Sequence, residues 1–287
     1  MTTPFAKAVL LTGAAGGLGA AMAEALAGDG HRLALVDCDE DRLQMLTDRL
    51  WRRYGEGVLL PLALDLTDEE ACAEAIGRAA EHFGRLDILV NNAGIGMGIL
   101  RPDYHLRPLS GLTEVSVEDW RRFIAVHATA PFIFMRAALP FMREHGWGRI
   151  VNITTSLSAM LKPQFFPYGA SKAALEAMSS QFAGELEGSG VTVNVLTPGG
   201  PTDTPMVTEE VAPDRSVLLS PSVMASPVRF LSSEISDDFT GRRIIAAFWD
   251  KRLAPVDAAM KAGGPIGWPG TGPAAIWPDS LLGARYT

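Results

Sequence analysis

Short apolar runs in this chain alternate with stretches of helical spacing, and that alternation is the strongest constraint on its fold. The runs fall at 8–11, 33–36, 58–64, 88–90, 149–153 and 191–196, with a seventh at 243–247. Helical patterns occupy 18–27, 41–53, 67–83, 116–145 and 168–187. Thr67-Asp-Glu-Glu70 has the spacing of a capping box for the third of these, and Ser116-Val-Glu-Asp119 opens the fourth. A strand that is apolar on both faces must be covered on both faces, and strands separated by helices pair in parallel through right-handed crossovers. The pattern predicts an α/β fold, a single doubly wound domain with a parallel seven-stranded sheet and helices on both faces.

No linker interrupts the chain, so residues 1–252 read as one domain and 253–287 as a C-terminal extension. A Pro/Gly-containing loop at 96–115 is inserted after the fourth strand, and the extension carries Trp268 and Trp277 beyond Trp249. The 29 glycines and 19 prolines make about 17% of the chain, above the usual share but below low-complexity levels. They gather at three strand ends, in the inserted loop and in the extension. With 25 Lys+Arg against 33 Asp+Glu the net charge is −8, and no basic cluster offers a surface to nucleic acid or an anionic membrane. The apolar runs break before the roughly 20 residues of a membrane span. The N-terminus lacks the basic and apolar regions of a secretion signal. Cys38 and Cys72 form no metal-ligand spacing. These features predict a cytoplasmic protein that binds neither nucleic acid nor membrane and holds no metal.

Four motifs carry chemistry. Thr12-Gly13-Ala-Ala15-Gly16-Gly17-Leu18-Gly19 lies between the first strand and first helix. Bare backbone there lets a diphosphate approach the N–H groups at the positive end of a helix. Asp37 ends the second strand, where a carboxylate accepts from both hydroxyls of an adenosine ribose and repels a 2′-phosphate. That argues for NAD over NADP. Asn91-Asn92-Ala93-Gly94 follows the fourth strand, at a sheet end suited to a ligand crevice. Tyr168-Gly-Ala-Ser-Lys172 puts a phenol and an ammonium on one helix face. A neighbouring cation lowers a phenol's pKa, so the pair can exchange a proton with an alcohol or carbonyl.

In this order and spacing the motifs resemble the short-chain dehydrogenase/reductase family, over about residues 6–250. Asp65-Leu66, Val193-Asn194 and Pro198-Gly199 complete the resemblance. It implies a Rossmann-type fold and, residue by residue, a set of roles. Tyr168 would be the general acid/base, with Lys172 binding the nicotinamide ribose and tuning it. Gly13, Ala15, Gly16 and Leu18 would lie along the diphosphate and adenosine ribose, with Gly17 and Gly19 shaping the turn. Asp37 would bind the ribose, and Asp65 and Leu66 would flank adenine. Asn92, Ala93 and Gly94 would line the nicotinamide side, and Pro198, Gly199, Pro201 and Thr204 would close over it.

Three positions depart from the family pattern. The family's catalytic serine falls at Thr155, whose hydroxyl still donates to a substrate oxygen, with Ser156 as the alternative. The family's helix asparagine falls at His127, which either joins a proton relay or is a packed helix residue. An extra residue in Pro198-Gly-Gly-Pro-Thr-Asp-Thr-Pro-Met206 leaves Thr202 or Thr204 as the carboxamide-binding hydroxyl, with Thr204 favoured by Thr-Pro-Met. The loops at 96–115 and 160–166 offer Met97, Ile99, Leu100, Tyr104, Met160, Phe165 and Phe166 either to an apolar or aromatic substrate or to lid packing. The expected activity is NAD-dependent interconversion of a secondary alcohol and a ketone, in a homodimer or homotetramer. The alternatives are an epimerase or lyase with retained NAD, and an NAD-binding sensor without turnover.

Overall fold

The computed structural model describes residues 6–268. Eight strands form one sheet: β1 Ala8–Thr12, β2 Arg32–Asp37, β3 Leu59–Ala63, β4 Ile88–Asn91, β5 Gly148–Ile153, β6 Val191–Thr197, β7 Arg242–Ile245 and β8 Gly263–Pro265. Their order is β3-β2-β1-β4-β5-β6-β7-β8. Every pair is parallel except β7 and β8, which are antiparallel. The eighth strand is a departure from the seven expected. Its sequence, Gly-Gly-Pro, has no apolar run to announce it, and it comes from the segment read as an extension. A Cβ at Gly263 would stand 1.8 Å from the Arg243 carbonyl oxygen, so glycine is what lets this strand close on β7.

Nine helices connect the strands among the described residues: α1 Gly17–Gly28, α2 Glu40–Tyr54, α3 Glu69–Phe83, α4 Val117–Ile124, α5 Ala130–Glu144, α6 Leu157–Met160, α7 Tyr168–Glu185, α8 Ala225–Leu231 and α9 Pro255–Lys261. The sheet buries both faces. Val9 and Leu11 of β1 face a core with Met22 and Leu26 of α1, Leu43 and Leu50 of α2, and Val228 of α8. Ala8 and Leu10 face the opposite core, with Ile76 and Ala79 of α3 and Phe134 and Ala138 of α5. All five β1 residues are buried, as a continuous apolar run in a parallel sheet requires.

Two helix starts were read from sequence. Ser116 caps α4 with a full capping box, as expected. At α3 the cap is Asp68, one residue beyond Thr67, and its carboxylate accepts from the Ala71 N–H at 3.0 Å. Helices α4 and α5 run on through a π-helical turn at Ala125–Thr129, which carries His127 against α7 and the loop after β4. The combined helix Val117–Glu144 is long and apolar enough to cross a membrane. Half of its apolar window is buried, against α3, β4 and β5, so it is a core helix. Trp277 and the rest of the extension beyond 268 lie outside the described residues.

Candidate active site

The sheet order reverses between β1 and β4, so the loops leaving their carboxyl ends diverge and leave a crevice. One hydroxyl ties those two ends together. Thr12 Oγ1 accepts from the N–H groups of Asn92 and Ala93 at 3.0 and 3.1 Å. The Asn92 amide donates back to the carbonyls of Thr12 and Gly13 at 3.0 and 2.9 Å. The glycine turn and the Asn-Asn-Ala-Gly segment are therefore one hydrogen-bonded unit. A cleft of about 370 Å³ opens over it, lined by Gly13, Ala15, Gly16, Gly17, Leu18, Gly19, Asp37, Asp65, Leu66, Asn92, Ala93, Gly94 and Thr204.

The cradle is built for missing side chains. Gly13 has φ +63°, and a Cβ there would meet the Ala93 Cα at 2.6 Å. A Cβ on Gly17 would meet Thr204 Cγ2 at 2.6 Å, and one on Gly19 the Gly13 carbonyl oxygen at 2.0 Å. Asp37 accepts from the Ala15 N–H at 2.9 Å and the Asp39 N–H at 3.1 Å. A carboxylate has about four acceptor positions, so two remain for ribose hydroxyls. Arg42, which also lines the cleft, is engaged with Asp39 at 3.2 Å. Cleft, bare backbone and carboxylate together fit a dinucleotide.

Other carried-over positions lie elsewhere. Pro198, Gly199 and Pro201 do not line the cleft. The Pro198 and Pro201 carbonyls accept from Ala247 and Leu219, and Gly199 (φ +100°) packs against Ala247 and Ile245. Thr202 is buried, its hydroxyl donating to the Gly200 carbonyl, whereas Thr204 faces the cleft. Arg122 and Val126, one turn apart on the long helix, also line the cleft. Nothing in their sequence context marks them, because an ordinary helix face carries no cofactor signal.

Tyr168 and Lys172 start α7. The Lys172 ammonium is buried and donates to the Ile153 carbonyl at 2.9 Å. It also lies against Gly94, where a Cβ would stand 3.4 Å from Nζ. Burial pushes its pKa down to about 7. The Tyr168 phenol moves opposite to the sequence expectation. Burial raises it, a hydrogen bond with Thr155 pulls the other way, and the net direction is up. Spacing shows a cation neighbour but not the loss of water around the phenol, and that loss dominates.

His127 is buried, and both ring nitrogens are engaged. Nε2 accepts from the Ile95 N–H at 2.9 Å, so the neutral ring carries its proton on Nδ1, 2.8 Å from Ser171 Oγ. Ser171 in turn donates to the Tyr168 carbonyl at 2.9 Å. Burial, helped by Lys172, holds the His127 pKa well below its usual value. The ring thus fastens the loop after β4 to the first turn of α7.

A second buried cluster, missed by sequence, fixes the strand end that carries Thr155. Glu176, two turns beyond Tyr168, meets Arg243 of β7 at 2.7 Å. Its carboxylate also accepts from Thr154 Oγ1 at 2.8 Å and the Gly267 N–H at 3.1 Å. The Arg243 guanidinium donates to the Thr155 carbonyl at 2.5 Å. The two charges are 67 residues apart in sequence, and nothing local pairs them.

The inserted loops meet over the phenol. Phe165 stands edge-on to Tyr168 at 5.3 Å between ring centres, and Tyr104 lies 6.1 Å from Phe165. Phe166 stacks on Trp120 at 5.1 Å, with Gly111 against it. Of the remaining loop residues, Met97 and Met160 are buried in packing, and Ile99 lines the dinucleotide cleft.

Comparison with known proteins agrees with this geometry. The family profile described as short chain dehydrogenase matches residues 7–215. A 2,5-dichloro-2,5-cyclohexadiene-1,4-diol dehydrogenase of Sphingobium indicum is 33% identical over 261 residues, spanning 91% of this chain and 97% of that protein. Among solved structures, a 3-ketoacyl-(acyl-carrier-protein) reductase from Brucella melitensis complexed with NADH superposes with TM-score 0.70 at 27% identity, covering 82% of this chain and 93% of its own. A short chain dehydrogenase from Burkholderia cenocepacia in complex with NADP gives the same TM-score and coverage at 30% identity.

Proposed function

The chain belongs to the short-chain dehydrogenase family, and from that premise we propose that it is an NAD-dependent dehydrogenase of a ring-sized, largely apolar secondary alcohol. Its class, an oxidoreductase acting on alcohols or ketones, follows from the family and its named relatives. The preference for NAD rests on Asp37, Asp39 and Asp65 in the lining of the cleft, where Arg42 is already paired with Asp39. A 2′-phosphate there would meet carboxylates. The ring-sized apolar substrate rests on the aromatic wall of Tyr104 and Phe165 beside Tyr168. The diol named for the Sphingobium relative is a ring alcohol of that kind.

Nicotinamide would supply the hydride acceptor, and the protein the proton handling and orientation. Gly94 and the Lys172 ammonium would hold the nicotinamide ribose, with Thr204 on the other side of the cleft. Tyr168 takes the proton from the substrate hydroxyl in oxidation and returns it in reduction. Thr155 already hydrogen-bonds the phenol and would share the substrate oxygen with it. Arg243 fixes the Thr155 backbone while it does so. A phenol held above its usual pKa is protonated at neutral pH, ready to donate to a carbonyl. Reduction is therefore served near neutrality, and oxidation gains as pH rises. A cytoplasmic homodimer or homotetramer is part of the same proposal, with Phe132, exposed and stacked on Phe182, on the helix faces available for assembly.

The observation that carries this reading is the conjunction of the glycine cradle with the buried Tyr168–Lys172 pair. Nicotinamide absorbance, followed with NAD or NADP and a series of cyclic alcohols, tests it. NADH formation should rise with pH and favour NAD. Tyr168→Phe should cost about 10²–10⁴-fold in kcat while NAD affinity stays within about threefold. Wild-type turnover in that variant sinks the mechanism, and tighter use of NADP sinks the cofactor assignment.

A further inference from the structure

The aromatic wall over Tyr168 contains one polar atom that the protein leaves unused. Tyr104 is half-buried, and among the described residues its hydroxyl has no hydrogen-bond partner. Its ring is placed by contact with Phe165, which itself stands on Tyr168. The two phenols are close enough that a charge on Tyr104 would raise the pKa of Tyr168. The backbone presenting Tyr104 is anchored on both sides. Its N–H donates to the Arg101 carbonyl at 3.1 Å, and Arg101 reaches the Arg107 carbonyl at 2.9 Å and Glu114 at 2.7 Å. Thr208 donates to the Pro102 carbonyl at 2.9 Å. The phenol is thus carried by a braced turn.

We propose that Tyr104 is a specificity-determining residue, which hydrogen-bonds a second, neutral oxygen on the ring substrate while Tyr168 handles the reacting one. This rests on the reading of the site as a ring-alcohol dehydrogenase. In an apolar pocket a single well-placed polar group sets orientation, and it discriminates against a substrate that cannot satisfy it. A neutral oxygen is the fitting partner for Tyr104, because burial keeps the phenol protonated and Arg101, in the same turn, pairs with Glu114. The substrate class is therefore a cyclic diol or hydroxyketone rather than a simple ring alcohol.

The test compares cyclohexane-1,2-, 1,3- and 1,4-diols with the corresponding methylcyclohexanols, which replace the second hydroxyl by a group of similar size. Wild-type enzyme should prefer one diol over its methyl counterpart by about tenfold in kcat/KM. Tyr104→Phe keeps the ring against Phe165 and should bring that preference to within about twofold, mainly through KM. Dissociation constants of the same compounds for the protein–NADH complex, read from nicotinamide fluorescence, should show the same preference and its loss. No diol preference in wild type overturns the proposal, as does a preference that survives Tyr104→Phe. If wild-type protein oxidises none of these alcohols, the dehydrogenase reading fails, while the binding constants still decide the role of Tyr104.

Discussion

The two halves of the site are built from opposite materials. On the β1–β4 side the cofactor cradle is made of backbone and absent side chains: Gly13, Gly17 and Gly19 each stand where a Cβ would collide with a neighbour. On the β5–β7 side the groups proposed for catalysis and those that support them are polar and buried, and each is held by a partner. Lys172 donates to Ile153, His127 bridges Ile95 and Ser171, and Arg243 joins Glu176 to the Thr155 carbonyl. Binding a dinucleotide needs room and exposed N–H groups, whereas moving a proton needs groups kept away from water in fixed geometry. Substitutions should therefore fail differently on the two sides.

The largest effect is expected on the catalytic side. Glu176→Ala leaves Arg243 buried without its counter-charge, which costs about 3–5 kcal/mol and lowers Tm by roughly 6–20 °C. Calorimetry measures it, and a loss under about 1 kcal/mol would show that the ion pair is dispensable. On the cradle side, Gly13→Ala puts a side chain at φ +63° and against Ala93. It should weaken NAD binding by about tenfold or more. The accompanying Tm loss should be smaller than for Glu176→Ala, and unchanged NAD affinity breaks the contrast. The smallest effect belongs to His127, and it is pH-dependent. In the unfolded chain this imidazole takes a proton near pH 6.5, and in the folded protein only well below that. Stability it permits above that pH is lost as pH falls through it, by about 1.4 kcal/mol per pH unit. Urea unfolding at decreasing pH should show His127→Asn losing less stability than wild type below about pH 6.5. Parallel curves for the two proteins would mean that the ring is not held neutral.

The same division explains what the sequence discloses. Glycine spacing reports on backbone, which is local, so the cradle, Asp37 and the Asn92–Gly94 segment could be read directly and do gather around one cleft. Tyr168 and Lys172 were legible because one helical turn relates them. Burial is a property of the whole fold, so the direction of the Tyr168 pKa was not legible, nor was the engagement of both His127 nitrogens. Glu176 and Arg243 look like ordinary charges until α7 and β7 are assembled around them. Pro198, Gly199 and Pro201 were placed by resemblance alone, and in that turn it is Thr204, with Pro205 and Met206, that lines the cleft.

The short antiparallel strand β8 has a consequence for how molecules of this protein meet one another. A parallel sheet ending at β7 would present a row of unpaired N–H and C=O groups, a template onto which another chain can add. Gly263–Pro265 occupies that row, and Pro265, opposite Arg242, brings no N–H of its own for a further strand. At the far margin, β3 carries Pro61 in mid-strand. Both margins of the sheet are thereby ended in proline, which resists runaway strand addition and aggregation in the crowded, newly made protein.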